Sequence, residues 1–367
     1  MATTVGSGEY KLVLRRASGE KYAEIGDYTR LAYTKRVNEP DRITFALRGD
    51  HRVVALLEDG DQVEVWRRVP RAGIAWYRDA WGFFRDDDQR QATIATFEGT
   101  AYGALQFLAE RIVAYRANLA GKSVFAGVKA ATIMWSLVRD NATSNATIGN
   151  GRLVNGAVPG LTVGSDPDSG PVQDVGCAWS PLLLQLQRLA LVAGGDFDIV
   201  KTGAASWQWQ FFPGQRGADR TATVLFAIER GNLTDLRATR VRSRLRTTAI
   251  VGGPGEGELR RVRVRTTSSP TRHAEIFVDA RDLGDDATDA ALDARGDAAL
   301  EAARALETVS YQVLQVPSCL YGLHYFLGDR VRRRTFGVVR NQQVAGISVV
   351  FQAGERLEQI GVELRDV

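Results

Sequence analysis

The chain has 367 residues, of which 44% are hydrophobic and 25% charged, the composition of a soluble globular protein long enough for two or three domains. The formal net charge of +4 is small for this length and excludes a globally basic nucleic-acid binder, so any cationic function must be local. Lys11, Lys21, Lys35, Lys122, Lys129 and Lys201 are the only lysines among 47 basic residues, and a chain this rich in arginine favours planar, bidentate pairing.

The first hundred residues read as short strands. Tyr10, Leu12 and Leu14 alternate, then Ile43, Phe45 and Leu47, then Val63 and Val65 ahead of Trp66-Arg67-Arg68. Strands at Ile74-Ala75-Trp76-Tyr77 and Trp81-Gly82-Phe83-Phe84, an acidic turn at Asp86-Asp87-Asp88 and a strand at Ala92 to Phe97 complete the expectation. Leu105, Leu108, Ile112 and Tyr115 then recur at helical spacing, as do Val128, Thr132, Trp135 and Val138. Residues 141–175 are rich in Asn, Gly, Ser, Asp and Pro and read as a long surface excursion without a core, ordered by a partner. Ser180-Pro181 opens a helix that Gly194-Gly195 closes. Phe197 with Ile199, and Trp207 with Trp209 and Phe211, alternate as strands. Further strands are expected near 221–228, 276–278, 311–316, 329–335, 344–351 and 359–364, with a helix near 289–308. The fold class is α+β and β-rich. Residues 1–100 form one β-rich lobe, 101–220 a helix-containing α+β region, and 221–367 a second β-rich lobe.

Arginine alternates with other residues along Arg240-Val241-Arg242-Ser243-Arg244-Leu245-Arg246 and Arg261-Val262-Arg263-Val264-Arg265, on either side of Gly252-Gly253-Pro254-Gly255-Glu256-Gly257. A hairpin of these segments would gather Arg240, Arg242, Arg244, Arg246, Arg261, Arg263 and Arg265 on one face. Like charges on neighbouring strands repel, so such a face calls for carboxylates of the same chain, an acidic partner subunit or nucleic-acid phosphate.

Catalytic patterns fail one by one. Ala120-Gly121-Lys122-Ser123 has Arg116 where a phosphate-binding loop needs its upstream glycine. No serine lies in GxSxG, and His51, His273 and His324 give no HExxH spacing. Cys177 and Cys319 form no CxxC pair and read as buried thiols, and a Cys319 and His324 dyad is the weaker reading of their proximity. Asp166-Pro167-Asp168 falls short of a calcium loop. The expectation is a protein that is not an enzyme and carries no cofactor or metal. No stretch has the apolar length of a membrane span and the start has no signal-peptide pattern, so synthesis in the cytoplasm with no membrane anchor is expected.

The order of several short motifs is more informative. Asp27 to Tyr33 leading to Val37-Asn38, Val63-Glu64-Val65-Trp66-Arg67-Arg68, Trp76 and Asp79 with Gly82-Phe83-Phe84-Arg85, and Phe107 to Tyr115 come first. Gly195-Asp196-Phe197-Asp198-Ile199, Phe212 to Thr221, Ile250 to Gly257 and Tyr325-Phe326-Leu327-Gly328-Asp329-Arg330-Val331 follow. Together they resemble the hub, or tail-associated, proteins at the distal end of long-tailed bacteriophages, also known as minor tail proteins. The resemblance spans nearly the whole chain, although Asn38-Glu39-Pro40-Asp41 replaces a glycine-containing turn.

The resemblance implies a structural virion protein at the tail tip or baseplate, a homotrimer whose subunits each contribute two β-barrel-like tube domains to the sixfold tail. It implies partners among distal tail and tail tube proteins, the tape-measure protein and a separate central fibre or receptor-binding protein. It further implies DNA that passes without specific binding, and host recognition and wall cleavage left to separate proteins. Two other classes stand against it: a nucleic-acid-binding module using the arginine face, and a particle-borne cell-wall hydrolase or sugar binder.

Overall fold

Apolar side chains at alternate positions build the first seven strands: β1 (Glu9–Arg15), β2 (Lys21–Ile25), β3 (Arg30–Arg36), β4 (Arg42–Arg48), β5 (Gln62–Val69), β6 (Ile74–Arg90) and β7 (Thr96–Tyr102). Leu12, Leu14, Ile43, Phe45, Leu47, Val63 and Val65 are all buried, as the strand period of two requires. The computed structural model describes residues 8–114, 121–267, 272–281, 288–303, 306–352 and 358–366, the side chains of Ala238, Arg240 and 306–310 excepted. Two compact units result, one of Met1–Thr234 with Gln312–Val367 and the other of Asp235–Tyr311.

After β7 come α1 (Gln106–Ala109), β8 (Ser123–Lys129), α2 (Ala130–Ala142), β9 (Leu161–Val163), β10 (Val172–Cys177), α3 (Leu182–Ala193), β11 (Gly195–Lys201) and β12 (Trp207–Pro213). Then follow β13 (Leu225–Phe226), β14 (Leu233–Val241), β15 (Thr248–Gly252), β16 (Val262–Thr266), β17 (Glu275–Asp279) and α4 (Asp289–Ala302). The last strands are β18 (Leu306–Val313), β19 (Arg330–Thr335), β20 (Val338–Gln352) and β21 (Gln359–Asp366).

The first unit is built on an 11-stranded sheet in the order β13-β19-β20-β3-β4-β7-β6-β5-β1-β2, with β21 also paired to β20. Gln342 and Gln343 pair with β19 and with β21 at once, so those two strands flank β20 on opposite sides. The antiparallel β3–β20 ladder, with Leu31 opposite Phe351 and Tyr33 opposite Val349, joins the first strands of the chain to the last. Among the described strands no ladder closes β2 onto β13. Gly82 is required where β6 crosses close to β7, because a Cβ there would stand 2.6 Å from the Tyr102 carbonyl oxygen.

A second core lies between this sheet and the helices. Ala130, Ala131, Ile133, Met134, Leu137 and Val138 of α2 and Leu182, Leu186, Leu189 and Ala190 of α3 are buried at helical spacing. They pack on the sheet β11-β12-β9. Phe83 links the two layers, its ring centroid 4.5 Å from that of Phe107 and 5.1 Å from that of Trp207. Gly194 ends α3 in the left-handed conformation (φ 65°), its N–H bonded to the Ala190 carbonyl.

Several local expectations are corrected. Asp86, Asp87 and Asp88 lie inside β6, paired with β7, and form no turn. The strand expected from Ala92 starts only at Thr96. The helical spacing from Leu105 yields a single turn, α1; Ile112 instead bridges to Pro181, and Tyr115 lies outside the described residues. The excursion at 141–175 is not coreless. It carries β9 and most of β10, and Ala146, Val158 and Leu161 are buried against α2 and β12 or in the loop between. At the start of α3 Pro181 takes the N-cap position, and the Ser180 hydroxyl makes no capping bond. The helix expected to reach residue 308 ends at Ala302, and β18 begins at Leu306. Only Leu225 and Phe226 of the expected 221–228 segment are in a strand.

In the second unit β15 pairs antiparallel with β16 and parallel with β17. Helix α4 covers one face of this sheet, where Val251, Ala280 and Leu292 form a small core with Val278 packed against it. Strands β14 and β18 form a separate two-stranded ribbon.

Candidate functional site

The hairpin that forms is β15 with β16, so the seven arginines do not share one face. Arg240 lies in β14, its side chain outside the described residues, and Arg242 and Arg244 are exposed in the turn that follows. The Arg246 guanidinium donates to the carbonyls of Ser243 at 3.3 Å and Leu245 at 3.1 Å. Strand β14 ends at Val241 and pairs with β18, while β15 takes the partner position beside β16.

Arg261, Arg263 and Arg265 are brought together, and their counter-charges come from the same chain. Asp289, Asp293 and Asp297 project from α4 at intervals of four residues, about 6 Å along a helix axis, while alternate strand residues are about 6.8 Å apart. The near match lets each aspartate meet one arginine. Arg261 Nη2 lies 2.5 Å from Asp289 Oδ1. Arg263 holds both oxygens of Asp293 at 2.9 and 2.7 Å, and Arg265 both oxygens of Asp297 at 2.8 and 3.0 Å. The hydrogen bonds from Arg263 hold the Asp293 carboxyl below its ordinary range. Planar forks on carboxylates fix orientation, so this ladder sets α4 on the sheet.

Several of the short motifs singled out in the sequence converge on three buried aspartates. Asp79, on β6, accepts from Tyr33 Oη at 2.5 Å, from Lys35 Nζ at 3.0 Å and from the Tyr321 hydroxyl. Burial opposes its charge, yet Lys35 and the two hydroxyls keep the carboxyl below its ordinary value. Asp196, at the start of β11, accepts from Gln343 Nε2 at 2.5 Å and from the Arg216 N–H at 2.9 Å. Asp329 accepts from the Ala218 N–H at 2.8 Å, Arg220 Nε at 2.6 Å and the Phe326 N–H at 2.9 Å. Each carboxylate ties segments far apart in sequence. Asn38 supplies the turn where a glycine was expected: it adopts φ 62°, a conformation asparagine tolerates, and its Oδ1 accepts from the Phe197 N–H at 2.7 Å.

Sequence reasoning missed the buried arginine beside them. Arg67 donates to Glu358 Oε1 at 2.7 Å, Tyr77 Oη at 3.1 Å and the Tyr321 carbonyl at 3.1 Å. The strand period held the signal, since Val63, Val65, Arg67 and Val69 share the buried face of β5.

A polar cavity of about 300 Å³ is lined by Lys35, Glu39, Asp41, Arg78, Asp79, Asp198, Lys201 and Arg216 among others. Several of its charges are paired: Arg216 lies 2.6 Å from Asp198, Lys35 3.0 Å from Asp79, and Lys201 2.8 Å from Glu64. Burial pushes the Asp41 carboxyl up to about 7, against the pull of Lys35 and with Asp198 adding repulsion. Among the described residues no group of three or more His, Cys, Asp or Glu side chains is placed to hold a metal, and no helix is long and apolar enough to cross a membrane.

The nucleophile candidates are placed for structure. Burial pushes the Cys319 thiol up to about 11, which suppresses the thiolate, and His324 Nδ1 accepts a hydrogen bond from the Leu320 N–H at 2.9 Å. Lys122 and Ser123 lead into β8, not into the helix N-terminus that a phosphate-binding loop uses; Ala120 lies outside the described residues.

Comparison with known proteins decides the family. Residues 17–363 match the family model described as Siphovirus ReqiPepy6 Gp37-like protein. The chain belongs to this siphovirus tail-protein family. No curated protein sequence matches it. The fold is similar to that of a tail protein from Neisseria meningitidis (12% identity, 97% of this chain and 96% of that one, TM-score 0.57). It is equally similar to the 43 kDa tail protein of a Shewanella oneidensis prophage (15%, 96% and 98%, TM-score 0.56). A chain of the lidded PdpA-VgrG complex of Francisella also matches (8%, 99% of this chain and 53% of that one, TM-score 0.59). The Neisseria and Shewanella neighbours are tail proteins, and the family is that of a virion component.

Proposed function

We propose that this tail protein is the hub of the tail tip, a ring of three copies that caps the tail tube and organises the distal tail for DNA ejection. The observation that carries the reading is the match over nearly the full length of both chains to tail proteins within a siphovirus tail family. In this reading each chain contributes two β-rich tube-like domains, so three chains meet a sixfold tube. Its neighbours are distal tail and tube proteins, the tape-measure protein and a central fibre; the Francisella chain that shares the fold occurs in a complex with another protein, which supports such docking.

The arginine ladder suits this role. A tube that passes a phosphate polymer must not retain it, and neutralised phosphates are what hold DNA to cationic surfaces. Arg261, Arg263 and Arg265 are already bound to the aspartates of α4, which removes the main support for the nucleic-acid-binding alternative. Immunogold labelling of intact particles tests the placement. Gold at the distal end of the tail is expected; label along the whole tube, or at the head, would overturn the hub reading.

A further inference from the structure

Three cations of the first unit converge on a single carboxylate. Strand β5 lies between β1 and β6, and across the ladders Arg15 faces Gln62, Trp81 faces Glu64 and Arg78 faces Trp66. These side chains therefore share one face of the sheet, opposite to that of Val63 and Val65. The β11–β12 hairpin packs on this face. Gln62 Nε2 donates to the Ala204 carbonyl at 2.9 Å, and Gly19 approaches the same turn so closely that a Cβ there would stand 2.6 Å from the Ala204 carbonyl oxygen. Lys201, at the end of β11, is thereby brought to Glu64.

The result is a pocket of about 370 Å³ lined by Arg15, Glu64, Arg78, Lys201 and the turn from Thr202 to Ala204. Lys201 Nζ lies 2.8 Å from Glu64 Oε1, Arg15 Nε 3.3 Å from Oε2 and Arg78 Nη1 3.4 Å from Oε1. Among the described residues none of the three has a second carboxylate within ion-pair reach, so three positive charges share one negative charge. The acids of the adjoining cavity do not make up the difference. Asp79 is held by Lys35, Asp198 by Arg216 and Glu39 by Arg36, and Asp41 is raised to about 7 by burial.

Two groups register the shortfall. The Arg15 Nε–H is buried and finds no hydrogen-bond acceptor among the described residues, an unfavourable state for a desolvated donor. Burial pulls the Lys201 ammonium below its ordinary value against its bond to Glu64, and repulsion from Arg78 and Arg15 adds to the fall. The Lys201 side chain is only 7% exposed, whereas those of Arg15 and Arg78 are 28% and 34% exposed and open to a solute.

We infer that Arg15, Arg78 and Lys201 bind a dianionic oxyanion, inorganic phosphate or a phosphate monoester. Its two negative charges match the excess, and guanidinium forks with an ammonium point charge are the donors that phosphate oxygens take. The phosphodiester backbone of a nucleic acid, with one charge per phosphate, matches it less well. Such a site depends on the fold of this unit and not on where the chain sits in a tail.

Isothermal titration calorimetry of the full chain with sodium phosphate and with glycerol phosphate tests it, at matched ionic strength and about pH 7.5, where the phosphate group is mainly dianionic. One saturable site per chain is expected. Tighter binding of the ester identifies a phosphorylated small molecule as the occupant, and equal or weaker binding the free ion. Arg15→Gln and Arg78→Gln should each weaken binding at least about tenfold, the loss of a hydrogen bond to a charged group, and Arg78→Lys should fall between. Urea midpoints separate binding from folding: Arg78→Gln should leave the midpoint in chloride unchanged and lose only the stabilisation that phosphate adds. No saturable heat up to about 10 mM phosphate, binding indifferent to both glutamine variants, a DNA duplex that competes as well at equal phosphate concentration, or an Arg78→Gln midpoint lowered equally in chloride and phosphate overturns the site.

Discussion

Arg67 shows how much a single side chain can hold. It sits on the buried face of β5 and faces Glu358, brought there from the far end of the sequence. Removing one partner of a buried pair strands the other charge, so Arg67→Met should cost about 3–5 kcal/mol in urea unfolding, and Arg67→Met with Glu358→Leu should recover most of it. Asp41 makes a second test. Its carboxyl, ordinarily near 3.8, is raised to about 7 in the fold, so between those values the folded state binds a proton that the unfolded state releases, and stability falls as pH rises through that window. Urea midpoints at pH 4.5 and 7.5 should show this loss, and Asp41→Asn should remove it, a gain of about 1–2 kcal/mol at the higher pH. An unchanged pH dependence in the variant would refute the assignment. Arg67 was legible in the alternation of Val63, Val65 and Val69, whereas the juxtaposition of Asp41 and Asp198 was not, because it depends on how the β3–β4 turn docks on β11, a contact with no local pattern.

At the scale of elements, α4 is oriented by charge as well as held by its small apolar core. Arg263→Asp should lower hydrogen-exchange protection of α4 and β16 together, and adding Asp293→Arg should restore it; protection insensitive to both changes would mean that Leu292 and Val251 suffice. The excursion at 141–175 offers a contrasting test. Leu161 is 3% exposed and β9 pairs parallel with β12, so limited proteolysis should spare 158–163, and Leu161→Ala should cost about 2–4 kcal/mol. The sequence marked this stretch as coreless because its apolar residues are sparse and lack a period. Burial there comes from isolated side chains held by long-range pairing, which periodicity cannot detect. The same reason explains Asp86 to Asp88, whose composition is that of a turn although pairing with β7 keeps them in a strand. Arg261, Arg263 and Arg265 were legible as one face, and Asp289, Asp293 and Asp297 carried the matching helical period. The error lay in the partner strand, because alternation fixes the face of a strand but not its neighbour.

At the scale of the molecule, the β-rich α+β class and most strands of the large sheet follow from alternation alone. The β3–β20 ladder that joins the first and last strands does not, since nothing local reports a pairing across some three hundred residues. Motif order supplied what periodicity could not, and its physical basis lies in Asp79, Asp196 and Asp329, buried carboxylates that hold distant segments of one fold. The hub reading is tested most directly by reconstruction of the tail tip from intact particles at a resolution that traces this chain. Three copies around the tail axis are expected at the end of the tube, with Arg261, Arg263 and Arg265 turned away from the channel; one or six copies, or those arginines lining the channel, would contradict it.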